Sequence, residues 1–189
     1  MIAVFDDFIQ DEQLLNDIVN DSSFFSNPGI YKYWNGWWNG EPKNLQQKLI
    51  QYIWRDNMPL LLQEQVHGFE YWTGTQSAED PNYYNHLELH YDDDVNYRKQ
   101  TGERMFPIMG CAYYPPNLTF TGGDLHIYTE GEENSPEIIK TLPNRLVIFN
   151  PGHVVHGVSE VTSGTRKAIA INMWGDEPWS VQNGFIIQE

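Results

Sequence analysis

Three side chains in this sequence could hold a metal ion together. His90 and Asp92 stand at positions i and i+2 of the segment Leu87-Glu88-Leu89-His90-Tyr91-Asp92, which alternates as a strand does. Residues two apart in a strand project from the same face, so one imidazole and one carboxylate can reach a common ion. His156 follows far along the chain, after the apolar run Leu146-Val147-Ile148-Phe149 and a turn at Asn150-Pro151-Gly152. Two imidazoles and one carboxylate form the facial set that suits non-haem Fe(II) and leaves positions open for other ligands. Arg166 comes ten residues after His156, and Ala168 and Ala170 share its face under strict alternation. A planar, permanently charged fork beside small residues suits the binding of a carboxylate.

Other groups compete for these roles. Asp93 has the wrong parity, and Asp94 falls in the following loop. His153 lies in the Pro-Gly turn, and His126 alternates with Leu125 and Ile127 and so faces away from an apolar core. His67 sits near a helix end. His86 shares the parity of His90, as does Tyr84, and both are expected toward the pocket. A zinc hydrolase built on the same three ligands would need a base, and Glu88 and Glu160 are the parity-matched candidates. A cupin-like metal-binding module without catalysis would need neither Arg166 nor a matching tyrosine.

The elements that position these residues can be read in outline. At 189 residues, 40% hydrophobic and 14% aromatic, the chain suits one folded domain. Residues 1–8 could form a short strand, and 11–20 read as an amphipathic helix through Leu14, Leu15, Ile18 and Val19. Residues 24–40 are aromatic and punctuated by turn signals; their Tyr31–Trp38 part would line a groove or pack on a sheet. Residues 42–66 are the strongest helical stretch, with Pro59 kinking or splitting it. From residue 69 the pattern turns to short strands between Gly, Pro and Asn turns: 69–75, 87–91, 105–114, 123–129, 138–142, 145–149, 154–161 and 166–174. The fold class is mainly β (α+β), a sandwich, jelly roll or barrel with N-terminal supporting helices. The expected organisation is a single domain, 1–189, with a strand and helical support over 1–68, a β core over 69–175 and a tail over 176–189.

The net charge of −15, from 26 acidic and 11 basic residues, argues against nucleic acid as a partner. No apolar run approaches the roughly 20 residues needed to span a bilayer, and the N-terminus lacks a basic n-region. A cytoplasmic protein without a membrane partner is expected. The single cysteine, Cys111, excludes an internal disulfide and a Cys-based zinc site and reads as core.

The sequence resembles the 2-oxoglutarate/Fe(II)-dependent dioxygenases, in particular their prolyl-hydroxylase-like branch. The resemblance rests on His90-Tyr91-Asp92, Ala112-Tyr113-Tyr114, Gly122-Gly123-Asp124-Leu125 and His156-Gly157-Val158 with Val161 and Gly164-Thr165-Arg166, in family order over about residues 83–175. It implies a double-stranded β-helix in which His90, Asp92 and His156 ligate Fe(II). Arg166 would bind the distal carboxylate of 2-oxoglutarate, and Tyr114 would donate a hydrogen bond to the same group. Leu125 and Val158 would form apolar walls, and Asn172 would face the cavity where related enzymes often carry tryptophan. The implied reaction consumes 2-oxoglutarate and O₂, hydroxylates a substrate and releases succinate and CO₂, with ascorbate as a candidate reductant. The substrate would be a peptide or protein, peptidyl proline first, or a small molecule such as a free amino acid. The polar segment 93–102 reads as a lid, with Arg98 as a candidate substrate contact. The sequence carries no sign of oligomeric state.

Overall fold

Alternation along the chain builds two mainly antiparallel sheets whose inner faces enclose one cavity. The computed structural model describes residues 1–57, 64–117, 119–131 and 134–189. The N-terminal elements are β1 (Ala3–Phe5), α1 (Glu12–Asn20), β2 (Lys32–Trp34) and α2 (Leu45–Ile50). They are followed by β3 (Gly68–Ser77), β4 (Leu87–His90), α3 (Val95–Thr101), β5 (Met109–Tyr114), β6 (Phe120–Gly122), β7 (Leu125–Tyr128) and β8 (Glu137–Ile139). The chain ends with β9 (Arg145–Phe149), β10 (Val155–Val158), β11 (Val161–Trp174), α4 (Trp179–Gln182) and β12 (Ile187–Gln188). The larger sheet runs β1-β9-β5-β11-β3-β2-β12, with β6 also on β11, and the smaller runs β4-β10-β7-β8. This is the double-stranded β-helix with N-terminal supporting helices.

The larger sheet divides its side chains by parity. Phe69 and Tyr71 of β3, Tyr113 of β5 and Ile169 and Ile171 of β11 are fully buried on the outer face. Leu49, Ile50, Ile53 and Trp54 cover them in one cluster. Each such aliphatic side chain contributes about 1.5–3 kcal/mol when taken from water, so this layer fixes the sheet from behind. The inner face carries Glu70, Trp72, Gly74 and Gln76 opposite Asn172, Ala170, Ala168 and Arg166. One residue of register slip would exchange the two sets and erase the cavity.

The helices begin at identifiable caps. Asp11 accepts from the backbone N–H groups of Gln13 (2.9 Å) and Leu14 (3.0 Å), which satisfies the first turn of α1. Asn44 does the same for Gln47 N at 2.9 Å, and α2 passes directly into a π-helical stretch, Gln51–Asp56. The long helix expected over 42–66 is therefore shorter and changes pitch, and Pro59 lies outside the described residues. Among the described residues, no helix is long and apolar enough to cross a membrane.

Two segments differ from their sequence reading. The polar stretch 93–102 holds a helix, α3, capped by Asp94 accepting from Tyr97 N at 3.0 Å and closed by Gly102 at φ 78°. Its sequence lacks an apolar stripe, so capping rather than periodicity is the signal for it. Residues 176–189 pack closely on the domain. Asp94 takes hydrogen bonds from the Ser180 backbone N–H (2.7 Å) and hydroxyl. At the other end the Glu189 carboxylate meets Tyr71 Oη at 2.6 Å and Lys32 Nζ at 2.9 Å. β11 also begins at Val161, five residues before the expected start at Arg166.

Candidate active site

Antiparallel pairing of β4 with β10 sets His90 directly across from His156. Their rings lie 4.3 Å apart between centroids. Asp92 falls just past the end of β4, and its position is fixed by its backbone N–H donating to Pro151 O at 2.9 Å. Its Oδ1 lies 3.3 Å from His90 Nε2 and 3.6 Å from His156 Nε2. One ligand atom from each of the three residues falls within 4.8 Å of the others, an arrangement able to hold a metal ion.

The second nitrogens decide which atoms face that point. His90 Nδ1 lies 2.8 Å from Glu88 O, and His156 Nδ1 lies 3.2 Å from Val154 O. A carbonyl only accepts, so each Nδ1 carries a proton, and Nε2 is the ring atom that each histidine turns toward Asp92. Asp92 Oδ2 is held by Asn172 Nδ2 at 2.9 Å. Burial opposes ionisation of Asp92, but His90, His156 and Asn172 outweigh it and hold the carboxyl below its usual range. Burial likewise holds His156 below the usual imidazole value despite Asp92, with His90 acting in the same direction. Burial would depress His90 too, but its contact with Asp92 prevails and raises it.

The other end of the cavity is cationic. Arg166 is 3% exposed. Its Nε donates to Gly123 O at 2.9 Å, its Nη1 donates to Gln76 Oε1 at 2.6 Å, and its guanidinium sits 5.0 Å over the Tyr114 ring. No described carboxylate pairs with it, and the buried Tyr114 hydroxyl has no hydrogen-bond partner. A buried cation without counter-charge beside an orphaned hydroxyl fits an anionic ligand with hydrogen-bond acceptors, such as the end of a dicarboxylate. Gly123 shapes this end: at φ +69°, a Cβ there would come 2.9 Å from Arg166 Cδ.

Both ends open into one cavity of about 690 Å³, also lined by Leu125, Val158, Ala168 and Ala170. All eight residues expected at the site therefore meet there, and Asn172 proves to be the brace of Asp92. Sequence reasoning missed Gln76 and Gly123 as partners of Arg166, and it missed Glu70, whose alternation with Trp72 and Gln76 on β3 was the available signal. Tyr31 of the aromatic region lines the cavity, whereas Trp34 and Trp37 are buried in the helix-side core. Several candidates stand apart. His86 is exposed, Tyr84 is 84% exposed, and neither lines the cavity, because β4 begins only at Leu87. Glu88 and Glu160 are also outside it, and Glu160 accepts from Asn85 at 2.7 Å, so a zinc hydrolase has no base from that pair. Arg98 bonds Asp93 at 2.6 Å instead of facing the cavity. Cys111 is buried in the core, where burial pushes its thiol up.

Residues 81–174 match the family model of the 2OG-Fe(II) oxygenase superfamily. Comparison with curated proteins gives no match. Among solved structures, a prolyl-4-hydroxylase of Pseudomonas putida is similar at 14% identity and TM-score 0.57, over 93% of this chain and 88% of that one. IDO from Bacillus thuringiensis is similar at 15% identity and TM-score 0.55, over 93% of this chain and 91% of that one. A prolyl hydroxylase of Trichoplax adhaerens, in complex with a hypoxia inducible factor oxygen degradation domain peptide fragment, is similar at 15% identity and TM-score 0.53. There the match covers 95% of this chain and 86% of that one. At such identities the structures share the fold, while the match over 81–174 carries the family. The chain belongs to the 2OG-Fe(II) oxygenase superfamily and is a dioxygenase that uses Fe(II), 2-oxoglutarate and O₂.

Proposed function

We propose that this enzyme hydroxylates an unactivated C–H bond of its substrate, peptidyl proline being the first candidate. The balance is substrate plus 2-oxoglutarate plus O₂, giving hydroxylated substrate, succinate and CO₂. The observation that carries this reading is the pairing of the His90, Asp92 and His156 cluster with Arg166, a buried guanidinium without a counter-ion among the described residues, in one cavity. The prolyl assignment draws on the fold shared with the two prolyl hydroxylases and on an aromatic cavity wall able to receive a peptide.

Bound Fe(II) with 2-oxoglutarate supplies the oxidising chemistry with O₂. The chain supplies geometry. His90, Asp92 and His156 would hold the ion, their orientation fixed by Glu88 O, Val154 O and Asn172. Arg166 would meet the distal carboxylate with two-point geometry, and the free Tyr114 hydroxyl would donate to it. Leu125 and Val158 exclude water along the cosubstrate, and Ala168 and Ala170 leave it room. No protein nucleophile or base is required, and ascorbate would serve as an external reductant.

The test is succinate formation from 2-oxoglutarate with Fe(II) and O₂, first without substrate, then with proline-containing peptides and with free amino acids. Peptide-stimulated turnover with a 16-dalton mass gain on proline supports the full proposal. Stimulation by free amino acids alone would reassign the substrate to a small molecule. Absence of both succinate and 2-oxoglutarate binding in metal-loaded protein would sink the Arg166 assignment.

A further inference from the structure

The cavity has a second buried ionisable group that the reaction above leaves unused. Glu70 lies on β3 across from Asn172, faces the cavity and is 7% exposed. Its Oε2 accepts from Trp174 Nε1 at 3.3 Å, a long bond, Asn172 also bonds the carboxyl, and among the described residues no lysine or arginine pairs with it. The other acidic side chains around the cavity are accounted for. Asp92 belongs to the metal cluster, Asp93 pairs with Arg98, and Asp94 caps α3 and takes Ser180. A buried carboxyl without a charged partner is costly, and burial, with Asp92 nearby, pushes Glu70 up to about 8.

Its surroundings indicate what would complete it. Trp72 shares its face two residues along β3, and Tyr31 lies against Trp72 with ring centroids 4.6 Å apart. Tyr31 is 44% exposed, so this corner is reached from solvent. Aromatic faces beside a carboxylate attract cations by quadrupole and charge together. The cavity is thus polar at both ends along β11: Arg166 at one end, and Asn172 with Glu70 six residues away, about 20 Å along a strand. An anion fits the first end and a cation the second.

We propose that Glu70, Trp72 and Tyr31 form a subsite for a positively charged nitrogen, so that the oxidised substrate, as a peptide with a lysine or arginine flanking the proline, carries an ammonium or guanidinium group near the reacting carbon. The inference rests on reading this cavity as the oxygenase site. A net charge of −15 would concentrate such substrates around the protein.

The proposal can be tested without knowing the substrate. Benzylammonium and its uncharged counterpart benzyl alcohol are titrated, at about pH 8.5 where Glu70 is ionised and the ammonium still charged, into Zn(II)-loaded protein with saturating 2-oxoglutarate, followed by ligand-observed NMR. Benzylammonium should bind at least about tenfold tighter, the scale of a charge-assisted hydrogen bond. Glu70→Gln should remove that preference, and Trp72→Leu should weaken both probes. Equal affinities in the parent, no binding of benzylammonium, or a preference that survives Glu70→Gln, as attraction to the acidic surface would, overturns the subsite. Binding of 2-oxoglutarate is measured in the same samples. Its loss would count against the oxygenase reading of the cavity, whereas the comparison of the two probes reports on Glu70.

Discussion

Replacing Arg166 by methionine would remove its charge while keeping much of its volume. The ligand-free protein should barely notice. Relief of a buried charge that lacks a counter-ion gains several kcal/mol. Against this, Gln76 Oε1 loses its donor, at about 1–3 kcal/mol, while Gly123 O loses one of two donors and keeps the Thr141 hydroxyl at 2.8 Å. These contributions nearly cancel, so the ligand-free variant should melt close to the parent. The bound state has no such cancellation. Truncating one partner of a buried charge pair costs about 2–5 kcal/mol, or about 30- to 4,000-fold in affinity for 2-oxoglutarate. At 2-oxoglutarate equal to about 100 times the parent Kd, the parent gains about 2.7 kcal/mol of stability. For a chain of this size that is a rise of about 5–11 °C in Tm. A variant weakened about 30-fold gains less than about 1 kcal/mol, and its Tm rises by no more than about 4 °C. The assay is thermal melting of Mn(II)-loaded parent and variant with and without 2-oxoglutarate, with Mn(II) affinity measured separately by electron paramagnetic resonance. Equal ligand-induced rises in the two proteins, or loss of Mn(II) binding in step with 2-oxoglutarate, would show that Arg166 is structural.

Three further outcomes follow from the geometry. Asn172→Ala removes the 2.9 Å bond to Asp92 Oδ2 and should weaken Mn(II) binding about 10- to 100-fold; unchanged affinity would mean that Asp92 is oriented without it. At Gly110, a Cβ would stand 2.6 Å from Asn172 Oδ1 and 2.7 Å from Pro151 Cγ. Gly110→Ala should therefore destabilise by about 1–3 kcal/mol in chemical denaturation and also lower metal affinity, and a neutral effect on both would contradict the packing. Glu70 titrates at about 8 when folded against 4.5 for the free group, so the folded state binds the extra proton. Its contribution to stability is complete below about pH 4.5 and is lost as pH rises to about 8. Glu70→Gln should be the more stable protein at pH 8 by at most about 5 kcal/mol in metal-free samples, whereas parallel stability profiles from pH 5 to pH 8 would refute the assignment.

Much of the site could be read from the chain because it depends on residue type and on a period of two. His90, Asp92, His156 and Arg166 were legible in this way, and strand alternation correctly put Ala168, Ala170 and Asn172 on the face of Arg166. It also kept Cys111 in the core. Alternation misled where the strand itself stopped. His86 and Tyr84 share the parity of His90, but β4 starts at Leu87, and parity means nothing beyond a strand end. Likewise α3 was hidden because its stability comes from the Asp94 cap and the Asp93–Arg98 pair instead of an apolar stripe.

What only the tertiary structure decided are the partners contributed by other strands. Register between β3 and β11 placed Gln76 against Arg166 and Glu70 against Asn172. Cross-strand pairing brought His90 to His156, and Asn172 came to hold Asp92 through an 80-residue separation in sequence. A local pattern states which face a side chain takes. It cannot state which distant side chain will stand opposite, because that is set by how two sheets and their covering helices pack together. The sequence by itself determined the candidate metal cluster, the guanidinium and the β architecture; among the described residues, the lone buried charge of Arg166, the unpartnered Tyr114 hydroxyl and the Glu70 corner exist only once the sheets have closed around them.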